Sequence, residues 1–209
     1  MLAVALLLSG VGVAQAGVIA ADTGTIRIYT GGSNAPTSLA RTGVGGEFWV
    51  AVQSGDVGVL ESIDGMSGFR TFCVERHESF LPADYYHVDI ADASFNKNYE
   101  FNDLDTYTAY AYWHFRQGDL DDIIDGSGGE DYDYGVDSNA GWLQDSIWHL
   151  QGQTDYSYSE LSSEAQDYVD QIKSAADADV SWDTGAGYIG DVRIMNVWHS
   201  SVRTEHQDQ

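Results

Sequence analysis

Apolar and polar residues alternate through the N-terminal third of the chain in the manner of β-strands. Residues 24–30 (Gly-Thr-Ile-Arg-Ile-Tyr-Thr) follow the two-residue period of a half-buried strand, and the turn residues Gly31-Gly32-Ser33-Asn34 interrupt it. Phe48-Trp49-Val50-Ala51-Val52 predicts a second strand. Ser54-Gly55-Asp56 then supplies turn chemistry, with Val57-Gly58-Val59-Leu60 as the expected hairpin partner. A further strand is predicted from Phe69 to Val74, with Cys73 near its end.

Beyond Cys73 the period lengthens to that of helices. Asn102 is the expected N-cap of a first helix, whose inward face is Leu104, Tyr107, Ala111, His114 and Phe115 and which Gly118 terminates. Residues 119–137 read as an acidic, Gly-rich loop. A second helix is predicted from Ser138 or Asn139 to Gln151, stopped by Gly152. A third begins near Ser159 or Ser162, with Ser163 and Gln166 as an alternative capping box. Its buried stripe is Leu161, Ala165, Tyr168, Ile172 and Ala175. Tyr188-Ile189 and Val192 to Trp198 return to strand character.

Strands, a helical block and a closing strand predict an α+β fold with a β-sandwich or barrel-like core. The expected β core covers 24–74 and 188–199. About three helices, within 102–177, are inserted between the cysteine strand and the last strand. With no internal repeat and no long linker, residues 17–202 are expected to form one domain.

Composition adds two constraints. Six Trp and thirteen Tyr among 209 residues exceed what a disordered segment carries, so a packed core is expected. A formal charge of −24 repels phosphate backbones and anionic membranes, which excludes nucleic acid as a partner and favours cationic ones. The same charge also suits solubility in a salty environment. Residues 1–16 are a short apolar run ending in Ala14-Gln15-Ala16, a small-x-small cleavage site. They are read as an export signal, too short for a membrane span, so the mature domain is expected outside the cell or at its surface without membrane insertion. Residues 203–209 read as a tail cut short before an anchor, and the lack of a basic residue before the apolar run likewise points to truncation.

Cys73 is the sole cysteine. An odd cysteine in an exported protein is an inert buried thiol, half of an intermolecular disulfide, or a thiol committed to other covalent chemistry. Gln144 is the candidate partner for the third. It shares a helix face with Ile147 and Trp148 at i+3 and i+4, so its amide is expected to point inward, where an unsatisfied amide costs about 1–3 kcal/mol. A thiol held in near-attack geometry against a polarised carboxamide can expel ammonia and form a thioester, provided that donors stabilise the oxyanion and water is excluded. Phe72, Trp142 and Trp148 are the candidate shield, and His77 is the candidate proton shuttle or pKa-lowering neighbour of Cys73.

The pair Phe72-Cys73-Val74-Glu75 and Leu143-Gln144-Asp145-Ser146-Ile147-Trp148 resembles the Cys–Gln thioester domains of bacterial surface adhesins. It is equally similar to related exported proteins that often carry PEP-CTERM-type sorting tails. The resemblance covers roughly Phe69 to Trp198. It departs at Leu143, where many adhesin members have Thr, and at Ser146, where they have Ala. It implies Cys73 and Gln144 as the reactive pair, no cofactor, and single-turnover covalent attachment to an amine on a surface protein or polyamine-like target, without turnover as an enzyme.

Other residues support weaker expectations. His114 and His149 adjoin Trp113 and Trp148 and, with Glu75 and Glu78, are read as packing or surface groups; no local signature of a Cys–His hydrolase is present. Asp121, Asp125 and Glu130 are weak calcium candidates, because Ile123 falls where the helix–loop–helix calcium pattern needs Asp or Asn. The alternative function is a non-covalent extracellular β-sandwich module for carbohydrate or matrix, stacking its ligand on exposed Trp and Tyr, with Cys73 inert.

Overall fold

A computed structural model describes residues 23–40, 45–76, 80–95, 101–125, 131–153 and 157–198. Residues 1–16, expected to be an export signal, lie outside them, as do His77, Glu78, Glu130 and residues 203–209. The fold is α+β, with the helical block inserted between the cysteine segment and the last strand. Its main sheet is open rather than closed into a barrel: six antiparallel strands in the order β3-β4-β2-β1-β5-β8. The strands are β1 (Gly24–Tyr29), β2 (Phe48–Gly55), β3 (Glu61–Ile63), β4 (Met66–Thr71), β5 (Tyr85–Ala91) and β8 (Ile194–Trp198). A separate two-stranded hairpin joins β6 (Ala93–Phe95) to β7 (Phe101–Asp103).

The pleat sends alternate side chains to opposite faces, and this sorts the core. Ile26 and Ile28 of β1, Val50 of β2, Phe69 of β4, Tyr86 and Val88 of β5 and Met195 and Val197 of β8 share one apolar cluster. Tyr29 and Trp49 instead pack with Ala35 and Leu39 in another. Fully burying each large aliphatic side chain contributes about 1.5–3 kcal/mol, so the strand alternation is also the main stabilising term of the sheet.

Two strand expectations are corrected. Val57–Leu60 is not the hairpin partner of β2: Val59 and Leu60 are exposed, and β2 pairs with β1 and β4. The hairpin lies one turn later, between β3 and β4, where Asp64 and Gly65 both take the left-handed conformation (φ 52° and 77°) that a tight primed turn requires. The change to helical character after Cys73 also comes later than expected, because β5 intervenes as an interior strand between β1 and β8.

The helices are α1 (Thr106–Gln117), α2 (Asp137–Leu150) and α3 (Ser163–Ala178). Asn102 does not cap α1 but lies in β7. The cap is Asp105, whose carboxylate accepts from the backbone N–H of Tyr107 (2.9 Å) and Thr108 (3.0 Å). Gly118 ends α1 with φ 81°, as expected of a glycine there. Ser162 caps α3 through Ala165 N–H, and the inward face of α3 is Ala165, Tyr168, Val169, Ile172 and Ala176. The helical core gathers Phe115, Leu120, Ile124, Tyr132, Leu143, Ile147, Tyr168 and Trp182, so much of the aromatic content is interior packing. Phe115 meets Phe72 edge-on at 4.9 Å, and Trp182 donates its indole N–H to Thr106 O at 3.2 Å. Helix α2 faces both layers, with Leu143 and Ile147 in the helical core and Trp148 in the sheet core. No helix among the described residues is long and apolar enough to cross a membrane.

Candidate functional site

Cys73 lies two residues beyond β4, on the segment that leaves the sheet, and Gln144 lies in the second turn of α2. The fold brings them into direct contact across 71 residues. Gln144 Nε2 donates to Cys73 O at 2.7 Å, and Cys73 N–H donates to Gln144 Oε1 at 2.9 Å, which closes a ring of two hydrogen bonds. A second backbone donor, Gly46 N–H, reaches the same Oε1 at 3.4 Å. Cys73 is 0% and Gln144 1% exposed, so this ring is sealed from bulk water.

The local sequence explains each part. Helical spacing puts Gln144 and Trp148 one turn apart on the α2 face toward the sheet. The residue after Cys73 turns back toward the helices: Phe72 and Val74 join the helical core, whereas Cys73 joins the sheet core with Trp148, Phe48 and Phe69. Gly46 sits at φ 102°, a backbone state costly for any other residue, and this aims its N–H at the amide oxygen. Gly45 lets the chain pass against α2: a Cβ there would lie 2.6 Å from Gln144 Cγ and 3.0 Å from Trp148 Cη2. Gly45→Ala is therefore expected to destabilise the fold by about 1–3 kcal/mol through overpacking. Chemical denaturation checks the loss, and amide hydrogen exchange should show Cys73 N–H losing protection before the sheet does.

Two donors on one carbonyl oxygen withdraw electron density from Gln144 Cδ and are placed to hold negative charge on Oε1. The carboxamide beside the cysteine is thus polarised, oriented and dry. The shielding candidates divide. Trp148 is buried beside the pair, with the Arg76 guanidinium 5.8 Å from its ring centre, and Phe72 is buried on the opposite side of the segment. Trp142 packs edge-on against Tyr168 at 6.0 Å and belongs to the α2–α3 contact instead. Ser146 has a role of its own, because its hydroxyl bonds Ala165 O at 3.1 Å and ties α2 to α3.

Sequence reasoning missed the Gly45-Gly46 approach and the carboxyl that follows it. Glu47 is 2% exposed; its oxygens accept from Ala40 N–H and the Tyr132 hydroxyl, each at 3.4 Å. Burial pushes its pKa up to about 7, against the opposing pull of Arg70. The available signal was a Gly-Gly-Glu run immediately ahead of a buried strand.

The remaining candidates are engaged elsewhere. His114 Nδ1 lies 3.0 Å from Asp119 Oδ1, and His149 faces the Tyr158 ring at 5.7 Å. Glu75 is buried rather than solvated and accepts from Ser94 Oγ at 2.9 Å. Asp121 lies in a short 3-10 turn, and Asp125 forms an isolated bridge with Asp131. No group of three or more metal-ligating side chains occurs among the described residues. The chain matches no family model, no curated protein and no solved structure.

Proposed function

We propose that this chain is an exported domain of a bacterial surface protein that forms an internal Cys73–Gln144 thioester and uses it for covalent attachment to amines. The observation that carries the reading is the doubly donated Gln144 carboxamide, held against the cysteine in a sealed site. In the forming step Cys73 Sγ bonds to Gln144 Cδ, the Cδ–Nε2 bond breaks, and the thiol proton leaves with the amide nitrogen as ammonia. Cys73 N–H and Gly46 N–H stabilise the negative charge that develops on Oε1 meanwhile. In the attaching step an amine nitrogen bonds to Cδ, the Cδ–Sγ bond breaks, and the amine's proton returns to the sulfur. The product is an amide, so each molecule reacts once and no cofactor takes part.

A second reading uses the same geometry differently. In it the three hydrogen bonds simply staple α2 to the cysteine segment of a non-covalent binding module, and the thiol stays inert. Intact mass of the folded, export-processed protein separates the two. The thioester gives a mass short by one ammonia that rises by one methylamine after treatment with that amine. A mass retaining the ammonia, with a thiol that alkylates once the protein is unfolded, would sink the thioester and leave the staple.

A further inference from the structure

The sheet face opposite the one that packs on Cys73 is covered at its two ends and open between them. At one end Tyr29 and Trp49 pack with Ala35 and Leu39. At the other, Asp89 is fully buried opposite Asn196, whose amide donates to Ala93 O of β6 at 3.0 Å. The pleat places Thr25 and Arg27 of β1, Gln53 of β2, Tyr85 and His87 of β5 and Trp198 of β8 on the stretch between, and none of the six is buried.

Two braced aromatic pairs stand on this stretch. The cross-strand register sets Arg27 against Tyr85 and His87 against Trp198. The Arg27 guanidinium lies 3.7 Å from the centre of the Tyr85 ring, and the His87 and Trp198 rings stack at 5.9 Å with 20° between their planes. Each aromatic ring is thus held from one side, which lowers the side-chain entropy lost when a ligand covers the other. Tyr85 is 50% exposed. A two-residue step along β5 separates the pairs by about 7 Å, within the reach of one short oligosaccharide. Polar groups lie between and beside the rings. A guanidinium stacked on an aromatic face keeps its in-plane N–H donors at its edge, and the Gln53 amide both donates and accepts. The Thr25 hydroxyl shares a hydrogen bond with Ser54 Oγ at 2.8 Å.

Charge selects the ligand. Arg70, Arg116 and Arg193 meet carboxylates at 3.2, 3.0 and 2.8 Å, whereas Arg27 makes no ion pair among the described residues. None of the six open positions is acidic, although acids outnumber bases 33 to 9 in the chain. A cation therefore finds no counter-charge here, and a polyanion is repelled by the net charge of −24. An uncharged ligand with apolar faces and a rim of hydroxyls meets neither penalty, and β-linked pyranose sugars have that shape.

We infer that this face binds a neutral β-linked oligosaccharide, with sugar C–H faces against Tyr85 and Trp198 and hydroxyls at Arg27, Gln53 and Thr25. The site lies across the sheet from the Cys73–Gln144 ring and stands with either reading of that ring. With a thioester, it holds the domain on a polysaccharide-coated surface before any covalent bond forms.

The test uses the full chain carrying Cys73→Ala, which cannot form a thioester, so failure of that reading leaves this result untouched. Cellotetraose and tetra-N-acetylchitotetraose are titrated in by NMR, with the Trp198 indole N–H and the backbone N–H of Arg27 and Tyr85 followed. Saturable shifts are expected at all three, with an affinity that salt leaves unchanged because the ligand is uncharged. Tyr85→Ala and Trp198→Ala should each weaken binding roughly tenfold, the loss of one aromatic contact. Tyr85 is half exposed, so its variant should keep the parent's spectral dispersion even where Trp198→Ala loosens the edge strand. Binding of the acetylated sugar alone assigns an amino-sugar polymer, and binding of cellotetraose assigns a plain glucan. Absence of saturable shifts on this face with both sugars, an unchanged affinity in Tyr85→Ala, or tighter binding of the acidic analogue tetragalacturonate overturns the proposal.

Discussion

Gln144→Ala is expected to lower the unfolding free energy by about 4 kcal/mol, the largest loss for any single side chain in the contact between α2 and the cysteine segment. Removing the carboxamide strands three buried backbone groups at once: Cys73 N–H, Gly46 N–H and Cys73 C=O. Each unsatisfied buried group costs about 1–3 kcal/mol, and water entering the vacated space recovers part of the sum. Denaturant unfolding measures the loss directly. Cys73→Ala then separates hydrogen bonding from covalent linkage, because it keeps the backbone atoms that Gln144 binds. Without a crosslink it should cost only about 1–2 kcal/mol, the packing of one small side chain. With a thioester, either substitution also opens a loop spanning 71 residues, worth about 4 kcal/mol in chain entropy, so the Cys73→Ala loss rises to about 5–6 kcal/mol and the Gln144→Ala loss rises by the same increment. A Gln144→Ala loss under about 1 kcal/mol would show that the ring of hydrogen bonds contributes little, against both readings of the site.

The parts of this site that could be read from sequence are those carried by local periodicity. The inward aim of Gln144 follows from its spacing to Ile147 and Trp148, and its burial agrees. The boundaries of α1 and α2 at Gly118 and Gly152 follow from glycine's access to positive φ, at 81° and 69°. The illegible parts depend on distant neighbours. Gly46 meets Gln144 across 98 residues, and nothing near Gly46 in the chain signals that contact. Glu47 stands at the head of a strand, where an acid ordinarily faces water; its burial is imposed by Tyr132, 85 residues away. In β5, Tyr86, Val88 and Ile90 do keep a two-residue period. The signal is diluted by His87 and by Asp89, which is fully buried opposite Asn196 of β8. The misplaced hairpin has another cause: Ser54-Gly55-Asp56 and Asp64-Gly65 are both credible turns, and only the sheet order shows that the second one closes a hairpin.

Glu47 should make the stability of the fold depend on pH. Its carboxyl sits beside the neutral Tyr132 phenol, whose own pKa burial pushes well above the ordinary value, and Arg70 is the cation that partly offsets the desolvation. The negative field of Glu61 adds to the upward shift. Because the folded state holds this proton more tightly than the unfolded chain, the stabilising contribution is complete below the ordinary value of 4.5 and is lost as pH rises through about 7. The full span corresponds to about 3 kcal/mol. Glu47→Gln mimics the protonated form, since its carbonyl can still accept from Ala40 N–H and its amide can donate to the Tyr132 oxygen. The variant should therefore gain about 2–3 kcal/mol over the parent between about pH 5 and pH 8, which denaturant unfolding at the two pH values measures. Comparison with the parent cancels the other carboxylates, which titrate in both proteins. Glu47 directly follows Gly46, so the added negative charge loosens the strand start that carries the second donor to Gln144 Oε1. Hydrogen exchange at Gly46 N–H should rise over the same pH interval in the parent, beyond the intrinsic base-catalysed increase, and stay flat on that scale in Glu47→Gln. Equal pH profiles for the two proteins would place Glu47 in contact with water and remove it from the support of the site.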